Sequence, residues 1–312
     1  MLPWIPVFLG CGWLARRRGW QAERLSTWLS AWALRVALPA TVLKVLAGMP
    51  LSQLNHPAVW LPWLLLILVL PLLWFSLRRV PFLDAEQARL LLLLIPLGNT
   101  SFLGLPLLQA VRGDEALSSA LLYDQFGSFP QLLLLGTWLL ESHAGAAGSG
   151  QSGSRRGHPG QVVVRRLASF PPLPVLLLAL SPAGPWLRDA AEPLLSLVAW
   201  TLVPTVMVAL GARLRIRLLP KDRPALALGL MGKMVVVPAL ALLVAWLLDW
   251  RSPEVQVALL ESAMPPMATA AAWAGDRGLC PSLGAALVSA GIIVALVWIP
   301  LLSLGLTWWM GS

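Results

Sequence analysis

Two apolar stretches of this sequence are interrupted by proline, glycine and small polar residues, which makes them the best candidates for a binding site. They are residues 95–106, IPLGNTSFLGLP, and residues 261–269, ESAMPPMAT. Proline removes a backbone donor and breaks a helix, and the N-terminus of a resumed half-helix suits an anion. Asn99, Thr100 and Ser101 can add hydrogen bonds. We therefore predict an anion-binding site at these breaks.

Four ionisable residues lie inside apolar stretches, where charge is costly and marks function or pairing. Lys233 is expected to hold a substrate anion or to neutralise the C-terminal end of a half-helix, and the alternative is a structural ion pair. Glu261, one helical turn before Pro265, and Asp124 are candidates for a coupling proton or for the partner of a buried cation. Arg35 is expected to be functional or, as a buried charge, to pair with a carboxylate.

The sequence offers no recognisable catalytic or metal-binding motif. Cys11 and Cys280 are too few for a cysteine-based metal site. Gly232 and Lys233 do not belong to a phosphate loop, because Met234 stands where that motif requires Ser or Thr. We therefore predict no metal site, no cofactor and no enzymatic activity.

The elements that carry these residues are predicted to be transmembrane helices. Of the 312 residues, 58% are apolar and 12% are charged, whereas soluble domains have roughly 25% charged residues. The apolar runs are continuous rather than alternating, which favours helices over a barrel. About ten spans are predicted, at residues 2–15, 25–48, 57–77, 88–111, 116–140, 162–181, 190–211, 223–248, 254–276 and 282–308.

The basic residues predict the orientation of these spans. Of the 23 Lys and Arg residues, 17 fall on one side of the predicted spans and 3 on the other. The basic side of a membrane protein is cytoplasmic, so both termini are expected outside. Because the net charge of +9 is explained in this way, no nucleic-acid partner is predicted. With no targeting signal recognised, we expect a multi-pass protein of the plasma membrane.

The chain divides into two similar halves. Residues 1–141 form the first five-helix half, the Gly- and Ser-rich residues 142–161 a cytoplasmic linker, and residues 162–312 the second half. Prolines recur in the same order in both halves, as the pairs Pro6 and Pro171, Pro39 and Pro204, Pro71 and Pro238, and Pro106 and Pro265. Five spans per half give the halves opposite topology, which is the inverted-repeat plan of secondary transporters.

The first break also carries a family resemblance. The run GNTSFLGLPL at residues 98–107 resembles the signature of the auxin efflux carrier family of membrane transporters, and shorter similar stretches occur in order at residues 36–39, 202–211, 233–238, 261–266 and 274–287. The resemblance covers most of the chain outside the linker. It implies a ten-helix inverted-repeat fold in which the broken fourth and ninth helices cross.

The resemblance also implies a function and several site residues. It implies export of an organic anion, such as an auxin-like or dicarboxylic acid, by an elevator-type motion, and homodimers would fit it. By position, Asn99 and Pro106 match the substrate region of the fourth helix, and Pro265 matches the crossover of the ninth. The chain departs from the plant-like members near the sixth span, where it has Pro171 and Pro172 instead of Asn-Pro.

Three other functions remain open at the level of sequence. A sodium-coupled importer of organic anions, like the related bile-acid symporters, would use polar and acidic groups near the crossover, and sodium dependence of uptake would separate it from the exporter. An intramembrane enzyme would need clustered catalytic groups. A sensor without transport is the third alternative, although the sequence carries no recognisable signalling domain.

Overall fold

The computed structural model of the chain describes residues 3–146, 172–215 and 218–310. Within them the regular structure is helical, apart from one isolated bridge. In chain order the helices are α1 Trp4–Arg17, α2 Ala22–Leu46, α3 Pro57–Leu77, α4 Ala85–Leu94, α5 Leu105–Arg112, α6 Ala116–Tyr123, α7 Phe129–Ala146, α8 Pro172–Ala179, α9 Gly184–Arg213, α10 Pro220–Leu247, α11 Pro253–Ser262, α12 Ala268–Gly275 and α13 Pro281–Met310. The predicted all-α fold is confirmed.

Several of these helices are suited to a membrane by length and composition. Among the described residues, 5 helices are long and apolar enough to cross a bilayer, namely α2, α3, α9, α10 and α13. The predicted fourth span is divided between α4 and α5, and the ninth between α11 and α12. An all-helical membrane fold is therefore confirmed, whereas the count of about ten spans and the inverted repeat stay predictions.

The predicted linker lies mostly outside the described residues. Helix α7 continues to Ala146, into the segment where the linker was expected to begin. The rest of the linker and the first part of the sixth predicted span, residues 147–171, are not described. The division into two halves therefore stays a prediction.

The outer surface of the helices is strongly apolar. Large aliphatic side chains such as Ile67, Leu197 and Leu304 are each more than 60% exposed. Soluble monomers rarely expose contiguous apolar patches larger than a few hundred Å². Such a surface is suited to contact with lipid tails, which is what the composition predicted.

Four helices widen into a π-helical turn just before a proline. Within the described chain these turns are Ala33–Ala37, Thr100–Gly104, Asp124–Ser128 and Gly232–Val236. A proline follows two residues after each turn, at Pro39, Pro106, Pro130 and Pro238. The proline ring clashes with the carbonyl four residues earlier and offers no N–H, so the turn before it opens from α to π geometry. All four turns contain residues that the sequence singled out.

The helices form two packed groups. The first group contains α1, α2, α8 and α9, and the second contains α3 to α7 together with α10 to α13. The groups meet where α2 touches α6 and where α9 touches the turn Thr100–Gly104. The broken fourth and ninth spans both belong to the second group.

Two glycines bring α1 and α9 of the first group into backbone contact. A Cβ atom added at Gly12 would lie 2.7 Å from the backbone nitrogen of Ala212, and one added at Gly211 would lie 2.8 Å from the carbonyl carbon of Leu9. Small residues at a helix interface allow this close approach, as is common in membranes. The first group is therefore held together tightly at this pair of helices.

We predict that Gly12→Ala destabilises the protein, because the added methyl group has no space between α1 and α9. Overpacking of this kind costs about 1–3 kcal/mol. The measurement is the thermal unfolding midpoint of the purified protein in detergent. Gly10→Ala is the matched control, because a Cβ at Gly10 would have nothing within 4 Å. Equal unfolding midpoints for the two variants would contradict the close packing.

Candidate functional site

The two broken spans cross at their interruptions and pair through their backbones. The N–H of Asn99 donates to the carbonyl of Pro265 at 2.8 Å, and the N–H of Met267 donates to the carbonyl of Leu97 at 3.1 Å. This short antiparallel bridge gives each break the partners that lipid cannot supply. The crossing expected from the resemblance is therefore present. The sequence predicted that backbone N–H groups at these breaks would be free to bind an anion, but those of Asn99 and Met267 are bonded across the bridge.

Asp124 ties the first break to the neighbouring helix pair. Its Oδ1 accepts hydrogen bonds from Thr100 Oγ1 at 2.5 Å and from Ser101 Oγ at 2.6 Å. Its Oδ2 accepts from Gln125 Nε2 at 2.8 Å. The carboxyl group is fully buried. Thr100 and Ser101 both donate to Asp124 in this structure, and their role in binding substrate stays a prediction.

Lys233 lies at the crossover and caps the end of α11. Its side chain is 1% exposed, and its Nζ donates to the carbonyl of Ser262 at 3.0 Å. A cation is favourable at a helix C-terminus, where the carbonyl groups lack partners. The ammonium fits there because Gly98 has no side chain: a Cβ at that position would lie 3.2 Å from Nζ. Of the roles considered for Lys233, this geometry corresponds to neutralising a half-helix end.

Glu261 is the buried carboxyl group of the site that accepts no hydrogen bond from the described residues. It is fully buried, and neither carboxyl oxygen has a hydrogen-bond partner among the described residues. The group lies against Gly104, where a Cβ would come within 2.7 Å of Oε1. Its electrostatic interactions are with Asp124, Lys233 and Tyr123. One ammonium and two carboxyl groups therefore share the crossover.

Asn99 contributes an unused donor at the same place. Its side chain is 1% exposed, and its Nδ2 has no hydrogen-bond partner in the described part of the chain. Buried polar groups are almost always paired, so an unpaired one indicates a ligand or a functional role. Of the two prolines predicted at the site, Pro106 lies in the first turn of α5, and Pro265 supplies the carbonyl that Asn99 bonds; their role in substrate binding stays a prediction.

Arg35 does not belong to this cluster. It lies in the π-helical turn of α2, in the first helix group, and its side chain is exposed. The expectation of a buried charge is therefore wrong. The apolar sequence around Arg35 could not reveal this, because it does not determine which face of α2 turns away from its neighbours.

A cavity of about 500 Å³ separates the two helix groups next to the crossover. Ala268 and Ala271 of α12 line it on one side, and Arg213 at the end of α9 lines it on the other. Ala268 directly follows Met267, so the cavity reaches the edge of the backbone bridge. At its rim Arg215 forms an ion pair with Glu23 at 2.5 Å. The lining of the cavity therefore carries two arginines, Arg213 and Arg215, and two acidic residues, Glu23 and Asp276.

Several residues of the site were not identified from the sequence. Gly104 makes room for Glu261, Ser262 receives Lys233, and Gln125 supports Asp124. Arg213 was counted only as an orientation signal. One signal was available: a proline inside a predicted span marks the turn before it, which is where Thr100, Asp124 and Lys233 lie. The partner of Lys233, the carbonyl of Ser262, could not be predicted in this way, because it depends on how helices distant in sequence pack against each other.

The fold and the crossover together define a membrane transport protein. Residues 2–303 match the family model described as membrane transport protein, so the chain belongs to this family, the auxin efflux carrier family that the sequence resembles. It is 26% identical over 308 residues to an uncharacterized transporter of Methanothermobacter thermautotrophicus, covering 95% of this chain and 94% of the relative. It is 28% identical over 181 residues to an uncharacterized transporter of Methanocaldococcus jannaschii, covering 56% and 54% of the two chains.

We predict that Gly104→Ala is more harmful when Glu261 is present than when it is absent. The added methyl group meets the Glu261 carboxyl group, and Glu261→Ala removes that group. Residues in contact show coupling energies of about 0.5–3 kcal/mol, which thermal unfolding of the two single variants and the double variant would measure. Gly284→Ala is the control, because its Cβ would meet only an ordinary contact at 3.6 Å. Strictly additive effects would show that the two residues do not touch.

Proposed function

We propose that this protein is a secondary carrier that exports a small organic anion, such as an auxin-like or dicarboxylic acid. One observation supports this most strongly: the buried, unpaired donor of Asn99 lies at a helix crossover beside a cavity between two helix groups. Broken helices that cross near the middle of the membrane are typical of substrate sites in secondary transporters. The membership of the chain in a transport family agrees with this function.

Arg213 supports an anionic substrate, because it lines the cavity and forms no ion pair among the described residues. Arg213 lines the wall, and one of its N–H groups donates to Ser26 at 3.1 Å. Arg215 also lines the cavity but is paired with Glu23, and the ammonium of Lys233 is buried at the crossover. The volume of about 500 Å³ falls in the range of roughly 300–1,000 Å³ that small-molecule sites occupy. In the predicted orientation this cavity opens toward the cytoplasm, which supports loading from inside and release outside.

An elevator-type motion is supported by the division into two groups. The hydrogen bonds of Asp124 and the backbone bridge bind the crossover into the second group, so it would move with that group as a unit. The first group is held by the backbone contact of α1 and α9. Shear between packed groups is an established way for a protein to change conformation. The second group would carry the substrate past the first.

The position of Lys233 argues against the sodium-coupled alternative. Its ammonium already neutralises the end of α11 at Ser262, where a bound cation would otherwise be favoured. A proton is the better candidate for coupling. Asp124 accepts three hydrogen bonds from protein donors, whereas Glu261 accepts none among the described residues, so Glu261 is the better candidate to carry the proton. If Glu261 carries a proton, the ammonium of Lys233 is balanced by the one remaining carboxylate, that of Asp124. Buried charges are tolerated when they are paired in this way.

We predict that Asn99→Ala lowers the initial rate of anion efflux about tenfold or more, because the unpaired donor at the crossover is lost. A buried hydrogen bond to a charged group contributes about 1.5–3 kcal/mol, which corresponds to at least tenfold. The measurement is efflux from proteoliposomes preloaded with a panel of labelled organic acids. Asn55→Ala is the matched control, because Asn55 is exposed and its side chain bonds only Trp60 among the described residues. Efflux that Asn99→Ala leaves unchanged would move the site elsewhere.

We predict that efflux responds to a pH gradient and not to sodium. Replacing sodium by choline should leave the rate unchanged, because Lys233 occupies the helix end. Glu261→Gln should abolish the response to the pH gradient and preserve exchange of labelled for unlabelled acid, because the amide cannot carry a proton. Glu192→Gln, on the exposed side of α9, is the control. Sodium-dependent transport by the wild type would instead favour the importer.

A further inference from the structure

A second cavity, of about 570 Å³, shares no lining residue with the crossover. It is a groove between the end of α3, the start of α4 and helix α7. Its inner wall is formed by the buried side chains of Leu77, Leu92 and Leu139. The proposed transport function makes no use of this groove, which belongs entirely to the second helix group.

Two tryptophans flank the open side of the groove. The rings of Trp74 and Trp138 lie 6.1 Å apart at an interplanar angle of 34°, and 52% of Trp138 is exposed. Tryptophan is enriched at the membrane–water boundary, where its ring faces the apolar side and its N–H faces water. The groove thus has an apolar interior below a boundary of aromatic rings.

A fixed cation stands at the mouth of the groove. The guanidinium carbon of Arg78 lies 3.6 Å from the centroid of the Trp74 ring, and Arg78 forms no ion pair among the described residues. Stacking on a ring leaves the N–H groups at the edge of a guanidinium available, and these match a phosphate with two hydrogen bonds.

Besides Arg78, the charged residues that line the groove are Arg89 and Asp84. The carboxylate of Asp84 accepts a hydrogen bond from the backbone N–H of Gln87 at 2.7 Å and caps α4. Its charge is therefore directed at the helix N-terminus. The sequence predicts that Arg78 and Arg89 lie on the cytoplasmic side, where the leaflet carries acidic lipids.

We propose that this groove binds one phospholipid with an acidic head group from the cytoplasmic leaflet. Its phosphate binds Arg78, and one acyl chain lies between the two tryptophans and the leucine wall. A zwitterionic lipid of the same chain length adds a positive group next to Arg78, so it binds more weakly. A bound lipid would join α3, α4 and α7 on the outer side of the group that carries the crossover.

The test is lipid retention by the full-length protein purified in detergent, measured by native mass spectrometry. Phosphatidylglycerol and phosphatidylcholine with identical chains are supplied in equal amounts. The wild type should retain phosphatidylglycerol preferentially. Arg78→Gln should reduce that retention about fivefold, because one arginine near a membrane surface contributes about 1 kcal/mol toward acidic lipid. Ala88→Phe, which fills the groove without changing charge, should reduce retention of both lipids.

Arg17→Gln is the matched control. Arg17 also stacks on a tryptophan, at 4.1 Å from the ring of Trp13, but it does not line the groove. The Arg17→Gln variant should leave the retention of phosphatidylglycerol unchanged. In a second control, inorganic phosphate should not raise the thermal unfolding midpoint of the wild type, whereas phosphatidylglycerol should. Equal retention of the two lipids by the wild type, equal losses from Arg78→Gln and Arg17→Gln, or stabilisation by inorganic phosphate alone would each overturn the proposal. None of these outcomes depends on whether the protein transports an anion.

Discussion

The backbone bridge around Gly98 and Pro266 is the interaction on which the rest of this structure depends. A helix that breaks at membrane depth leaves N–H and C=O groups without partners, and lipid supplies none. Here two breaks face each other and share their hydrogen bonds. The bridge permits irregular backbone inside an apolar bundle, and it thereby allows polar side chains to collect there. Asn99, Glu261 and Lys233 all lie at or next to this bridge.

The same low-dielectric surroundings explain how the charges are arranged. A buried charge is tolerated when other groups compensate it. At the crossover, the three ionisable side chains differ in how many hydrogen bonds compensate them. Asp124 has three donors, and Lys233 has the carbonyl of Ser262 at the end of α11. Glu261 has electrostatic neighbours but no hydrogen bond within the part of the chain that the structure describes. Asp124 and Lys233 therefore hold the crossover together through hydrogen bonds, whereas the carboxyl oxygens of Glu261 have no such partner among the described residues.

Prolines connect the sequence to this geometry more directly than hydropathy does. Each proline that follows a π-helical turn removes one backbone bond and widens the turn before it. In the second helix group these turns contain Thr100, Asp124 and Lys233. Arg35 sits in a turn of the same kind in the first group, yet it is exposed. A proline therefore marks where a helix is irregular, and the surrounding helices decide whether that irregularity becomes part of a site.

The sequence by itself determined the helical membrane fold, the two breaks and the types of residue around them, because hydropathy and proline content act along the chain. It also contained the family signature at residues 98–107. Only the tertiary structure decided the partners: Thr100 and Ser101 on Asp124, Lys233 on Ser262, and Glu261 against Gly104. It also decided that Arg35 lies outside the cluster and that a cavity beside Arg213 reaches the crossover. These outcomes depend on the register and rotation of helices far apart in sequence, and a linear pattern of apolar residues does not encode either quantity.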